Sequence, residues 1–229
     1  MCGRYTHLYT WRELFRLLNL NTESAEIDLS PSWNVAPTQL APIVRQEDGV
    51  RTASLVRWGL IPSWAKEPGT PLNNARSEEA ASKPSFRSAF KSRRCLVPVS
   101  SFYEWEKRPE GKQPWAIGVK GESIFCFAGL WERNEKAGGS LETFTILTQA
   151  PNEFMAALHN RMPCIVAPEH FDLWLDPTNS TTTELAPALA PIPSEHMEAH
   201  RVSTRVNSPK VNEPSLMESV KPPAPGLFG

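Results

Sequence analysis

The 229-residue chain predicts an α+β fold in one domain, built from short strands and short helices. Three observations carry this. Proline accounts for 22 residues, about twice the usual ~5 % share, which excludes long helices. Period-two apolar patterning dominates the middle of the chain, whereas helical periodicity occurs only in short pieces. There is no internal repeat and no composition shift that marks a boundary, and a chain of this length can bury one core.

The elements follow in order. Thr10 to Leu20 places Trp11, Leu14, Phe15, Leu17 and Leu18 near helical spacing, and Thr10 with Glu13 fits a capping box. Ser30 to Pro42 holds three prolines and leads into Ile43 to Arg45, a Glu-Asp-Gly turn and Arg51 to Trp58, which together predict a hairpin. Gly59 to Thr70 reads as an ordered loop. Glu78 to Lys91 is helical apart from Pro84, which must break or restart it. From Arg94 onward come short strands at Cys95–Val99, Phe102–Glu106, Trp115–Val119, Ile124–Trp131 and Phe144–Leu147. A helix at Pro151–Leu158, a strand at Cys164–Val166 and a helix at Pro168–Leu175 complete the set. Asp176 to His200 contains four prolines, four acids and no Lys or Arg, and reads as a surface excursion; the last nine residues read as a frayed tail.

Composition excludes several classes of function. Forty per cent hydrophobic and 21 % charged residues are those of a soluble globular protein. With 24 basic against 25 acidic residues, no general nucleic-acid footprint covers the surface, so any phosphate site must be local. Cys2, Cys95, Cys126 and Cys164 form no C-x-x-C pair, which argues against zinc and against a disulfide framework. No metal or cofactor is expected. The first fifteen residues lack the apolar stretch of a secretion signal, and a cytoplasmic protein with no membrane association is expected.

Five segments carry chemistry. Removal of the initiator from Met1-Cys2-Gly3-Arg4 would leave a 1,2-aminothiol, which can condense with an aldehyde and close a thiazolidine, or act as an amide-cleaving nucleophile. With an α-amine pKa of about 8 and a thiol near 8.5, a neighbouring acid/base assists either reaction. Asn73-Asn74-Ala75-Arg76 suits sugar and phosphate oxygens. From Arg76 to Arg94, six basic residues against two acidic, with Phe86 and Phe90 interleaved, resemble a surface that tracks a single strand. Glu104 lies between aromatics in Ser101-Phe102-Tyr103-Glu104-Trp105, where desolvation would raise its pKa, and Trp105 can stack on a base. His159-Asn160-Arg161 follows a helix, where a loop can aim an imidazole into a cleft. Each segment alone also has an ordinary structural explanation.

Taken together, MCGRY at the start, NVAP at 34–37, NNARSE at 73–78, FYEW at 102–105 and HNRMP at 159–163 resemble the SRAP family, the SOS response-associated peptidase proteins, over residues 1 to about 215. The resemblance implies an α+β domain with a β-barrel-like centre flanked by short helices, a flexible tail at 216–229 and a basic groove for single-stranded DNA. It implies an abasic-site sensor that crosslinks its N-terminal cysteine to the ring-opened sugar as a thiazolidine, with release of its own initiator methionine and an AP-lyase side activity. On this chain Cys2 would form the crosslink, Asn74 orient the sugar, Glu104 act as acid/base and His159 assist ring opening. Arg4, Arg76 and Arg161 would meet phosphates, Asn34 and Pro37 shape the groove, and Trp64 and Trp105 contact bases or backbone. The segment 176–200 departs from the family pattern. The implied partner is single-stranded DNA containing abasic sites, handled by a monomer in the cytoplasm, at the nucleoid during DNA damage, or in the nucleus of a eukaryote; partners at a replication fork are left open. A cysteine peptidase acting on other substrates and a non-catalytic single-strand-binding module are the alternatives.

Overall fold

Asp48 and Gly49 both adopt positive φ (51° and 76°), the conformation of a two-residue hairpin turn, and join β3 (Leu40–Glu47) to β4 (Val50–Trp58). In this computed structural model, which describes residues 2–21, 26–136 and 139–221, that hairpin is the start of a barrel. Before it come β1 (Tyr5–His7), α1 (Trp11–Leu17) and β2 (Ser32–Val35); after it come β5 (Asn74–Arg76), α2 (Ser77–Ala80), α3 (Arg87–Ser92), β6 (Arg94–Val99), β7 (Ser101–Arg108), β8 (Gly111–Val119), β9 (Phe125–Asn134) and β10 (Leu141–Gln149). Short elements follow: α4 (Glu153–Ala156), β11 (Met162–Pro163), β12 (Ile165–Val166), α5 (Phe171–Leu175), α6 (Thr182–Leu185) and β13 (Met197–Arg201). Residue 1, and residues 222–229 of the expected tail, lie outside the described residues.

Strands β10, β4, β3, β6 and β9 pair in that order, and β9 pairs back onto β10, which closes a five-stranded barrel. Closure leaves these strands no open edge within the ring. Along β6, Cys95, Val97 and Val99 join one apolar cluster with Ile43, Val56, Trp58, Phe127, Phe144 and Ile146, whereas Leu96 joins another. That second cluster contains Leu14 and Leu18, Phe90 of α3 and Trp174 of α5, so the short helices pack on the barrel's outer face. The inward cluster continues into Tyr5, Phe102, Ile117 and Met197 of a second sheet, ordered β13-β8-β7-β1-β2.

The Thr10/Glu13 capping box forms, and α1 ends at Leu17, before the expected Leu20, where Asn19 turns to φ 47°. Pro84 splits the expected 78–91 helix into α2 and α3. The segment 176–200 departs from the expected surface excursion. Leu185, Ala188 and Met197 are buried, and Met197–Arg201 adds an edge strand along β8. Its few apolar side chains, separated by prolines, are those that anchor it. Among the described residues no helix is long and apolar enough to cross a membrane.

Candidate active site

Strand register assembles the site. Tyr5 pairs with Phe102 across β1 and β7, and the Tyr103 N–H donates to Arg4 O at 2.9 Å. Continuing in that antiparallel direction carries Cys2 past Glu104. Along β7, Phe102 and Glu104 share the side that faces the inward cluster, while Tyr103 and Trp105 pack on the other. Asn74 comes from β5, which runs parallel to β10 with Ile146 opposite Asn74. Trp58 Nε1 and Ile146 N both donate to Asn73 O, at 2.8 and 3.2 Å, and fix the entry to that strand. Gly59 is required beside it: at φ 117°, a Cβ there would lie 2.6 Å from Pro71 Cβ and 3.0 Å from Asn73 Oδ1. So held, Asn74 Nδ2 donates to Cys2 O at 2.8 Å, while its Oδ1 is buried with no hydrogen-bond partner among the described residues.

Cys2 is fully buried and Glu104 is 2 % exposed. Burial first, and the charge of Glu104 second, push the Cys2 thiol well above the ordinary thiol range. Burial likewise raises the Glu104 carboxyl, against the opposing pull of His159. The site therefore holds a protonated thiol beside a carboxyl whose protonated form is favoured by burial. His159 comes from the turn after α4; the Arg161 N–H donates to its Nδ1 at 3.1 Å. When Nδ1 accepts this bond it carries no proton, and a neutral ring then holds its proton on Nε2; the Arg161 carbonyl, 3.3 Å from the same nitrogen, would suit the other tautomer.

A family model described as SOS response associated peptidase (SRAP) matches residues 1–209. The chain belongs to the SRAP family. It is 41 % identical over 223 residues to the abasic site processing protein YoqW of Bacillus subtilis, covering 96 % of this chain and 100 % of that one. It is 30 % identical over 224 residues to the abasic site processing protein HMCES of Xenopus tropicalis, covering 83 % of this chain and 66 % of that one. A crystal structure of a protein from Bacteroides thetaiotaomicron superposes with a TM-score of 0.83 at 26 % identity, covering 96 % of this chain and 100 % of that one.

Around the core of this SRAP domain, the remaining motif residues divide into two groups. Arg4 and Asn34 grip the segment 206–211: Arg4 Nη1 donates to Asn34 Oδ1 at 2.8 Å and to Val206 O at 2.7 Å, and its Nη2 donates to Asn207 O at 3.2 Å. Asn34 Nδ2 reaches Val206 O, Ser208 O and Val211 O at 3.3, 2.9 and 2.7 Å. Half-buried Trp105 donates its indole N–H to Asn207 Oδ1 at 2.7 Å. Pro37 leads a turn in which Thr38 N donates to Trp58 O at 2.8 Å. Trp64 is 58 % exposed, on a loop held by buried Asn134, whose Nδ2 donates to Pro62 O at 2.6 Å and Ala65 O at 2.9 Å. Arg76 is largely exposed with a long 3.5 Å contact to Glu79, and Arg161 is paired with Glu78.

The basic stretch 76–94 is not one continuous strand-tracking surface. Phe86 and Phe90 are buried in the outer cluster rather than open for stacking. Arg94 is buried and donates to the carbonyls of Phe90 and Trp174 at the ends of α3 and α5. Arg93 pairs with buried Glu132 at 2.7 Å. Sequence reasoning also passed over Asn134 and Asn207, which lie in no motif, and gave Glu78, the last residue of NNARSE, no separate role.

Proposed function

We propose that this SRAP protein captures abasic sites in single-stranded DNA by a covalent bond to Cys2. The observation that carries the reading is the meeting of buried Cys2 and Glu104 with half-buried Asn74, with the electrostatic influence of His159 on Glu104. Water first hydrolyses the Met1–Cys2 peptide bond, with Glu104 and His159 moving the protons, and frees the Cys2 α-amine. The neutral amine attacks the C1′ aldehyde of the ring-opened sugar. Its carbinolamine loses water to give an imine, with Glu104 donating the proton that hydroxide needs to leave. The Cys2 thiol then passes its proton to the imine nitrogen by way of Glu104 as sulfur adds to C1′, which closes the thiazolidine.

The electrostatics set the order. A thiol held protonated is a poor first nucleophile, so the amine attacks first and sulfur closes second. Asn74 fixes the Cys2 carbonyl and thereby the swing of the terminus. The imine also acidifies C2′, so elimination of the 3′ phosphate competes with closure as a lyase side reaction. Exposed Arg76 and Trp64 supply a phosphate contact and a stacking face, and Arg161, Trp105, Arg4, Asn34 and Pro37 frame the approach. The working form is a monomer without cofactor, acting wherever the cell's DNA lies.

The test is a denaturing gel of the Met1-free protein incubated with single-stranded DNA that contains one abasic site. A heat-stable adduct that disappears in Cys2→Ala supports the reading. No adduct, or an undiminished stable adduct in Cys2→Ala, overturns it.

A further inference from the structure

The ion pair between Glu78 and Arg161 joins two motifs that lie 83 residues apart in the chain. Its geometry is bidentate: Arg161 Nη1 donates to Glu78 Oε1 and Nη2 to Oε2, both at 2.8 Å. Nη2 also donates to Thr148 O at 2.5 Å, which pins the guanidinium to β10. The Arg161 side chain is only 16 % exposed although Glu78 faces solvent. The pairing holds the Glu78 carboxyl below the usual carboxylate range, so it stays charged through neutral pH.

Two consequences reach the reacting groups. Glu78 sits on α2, directly continuous with the strand that carries Asn74, so the element that fixes the Cys2 carbonyl also fixes Arg161. Arg161 in turn fixes His159 through its backbone rather than its side chain, by the N–H that donates to Nδ1 at 3.1 Å. The carbonyl of Arg161 also approaches Nδ1, at 3.3 Å. The two contacts require opposite states of the ring: with the N–H aimed at Nδ1, the neutral ring must carry its proton on Nε2, whereas a turn that rotates to present the carbonyl would draw the proton to Nδ1. The placement of Arg161 thus selects between two tautomers.

We infer that Glu78 is a positioning residue for His159: through its bidentate hold on Arg161 it keeps the 159–161 turn in the rotation that leaves the Nε2 proton available to the site. This rests on the role assigned to His159 above. Glutamine at position 78 cannot replace the carboxylate, because its amide offers one acceptor oxygen and turns an NH₂ group against the guanidinium. Aspartate keeps both acceptors at shorter reach.

Two measurements on the full-length protein test this. In DNA-free protein carrying ¹⁵N-labelled histidine, His159 shows the single Nε2–H pattern in the parent and a mixture of both tautomers in Glu78→Gln. With Met1-free protein at saturating abasic single-stranded DNA, Glu78→Gln lowers the rate constant for adduct formation on the order of 10-fold, since small misplacements of reacting groups carry losses of this size or more. Glu78→Asp recovers part of that loss, and binding to an undamaged single strand of the same length is not weakened by either change. A double variant, Glu78→Gln with Arg161→Lys, reacts no more slowly than Arg161→Lys alone, because both act through one contact. An unchanged tautomer pattern together with an unchanged saturating rate in Glu78→Gln overturns the inference. So does a rate deficit that saturating DNA abolishes, which would make Glu78 a binding determinant only. If the parent protein forms no adduct, the function proposed above fails, while the tautomer measurement still decides the role of Glu78.

Discussion

Replacing Asn34 by alanine should loosen the segment 206–211 at a cost that can be worked from the contacts. The two hydrogens of Asn34 Nδ2 are shared among three carbonyls, at 2.7, 2.9 and 3.3 Å, so two net bonds are counted there. Its Oδ1 accepts a third from the Arg4 guanidinium at 2.8 Å. At about 1 kcal/mol for each neutral bond and about 1.5–2 for the charged one, the loss is about 3.5–4 kcal/mol. The charged bond counts at the lower end of its range because Arg4 keeps a second acceptor, Val206 O, at 2.7 Å. Urea unfolding at pH 7 measures this as a shift of midpoint at constant slope, and trypsin should cut first at Arg205 or Lys210. Asn34→Asp separates the contributions: it retains the contact with Arg4 but turns a carboxylate without hydrogens toward three carbonyls, so it should be no more stable than the alanine variant. A loss below about 1 kcal/mol in Asn34→Ala, or an Asp variant as stable as the parent, would refute the reasoning that Asn34 is the hub of this clamp.

Two further expectations concern pH. Burial raises the Glu104 carboxyl, so the folded state holds its proton to higher pH than the unfolded chain does; this contribution to stability is complete below the unfolded value of about 4.3 and is lost as pH rises through the folded value. Glu104→Gln should therefore gain stability over the parent at pH 8 and not at pH 4 in urea titrations, while adduct formation falls on the order of 100-fold with strand binding retained. Burial depresses His7 to about 4, and its Nδ1 has no hydrogen-bond partner among the described residues. Its contribution is present above the unfolded value of about 6.5 and is lost toward pH 4, at most about 3 kcal/mol; His7→Phe should flatten that limb of the stability profile.

Local chemistry made part of the fold readable in advance. The Thr10/Glu13 box, the Asp48-Gly49 turn and the break at Pro84 each rest on contacts within four residues or on one ring's geometry, and each stands where the pattern placed it. Strands of three residues, such as Tyr5–His7 and Asn74–Arg76, are too short to show a period, yet they carry the chain to Cys2 and hold Asn74. The strand Met197–Arg201 was hidden by the prolines before it. Phe86 and Phe90 looked like stacking residues because sequence does not reveal which side of α3 meets the barrel. The candidate residues Cys2, Asn74, Glu104 and His159 stood out by motif, but the proximity of Cys2 to Glu104 depends on the β1–β7 register, a pairing between segments nearly a hundred residues apart. Glu78 closes the NNARSE motif, but its role depends on a partner 83 positions away that no local pattern reveals.

The complete burial of Cys2 bears finally on oxidation. Peroxides and disulfides attack thiolates that they can reach, and reactive cysteines are therefore also the vulnerable ones. Here the sulfur has no exposed surface, and the neighbouring carboxylate disfavours its ionisation. Solvent oxidants therefore meet a thiol that is covered and uncharged, the two conditions that slow its oxidation. The protein can thus hold a cysteine in readiness under the same oxidative conditions that damage DNA.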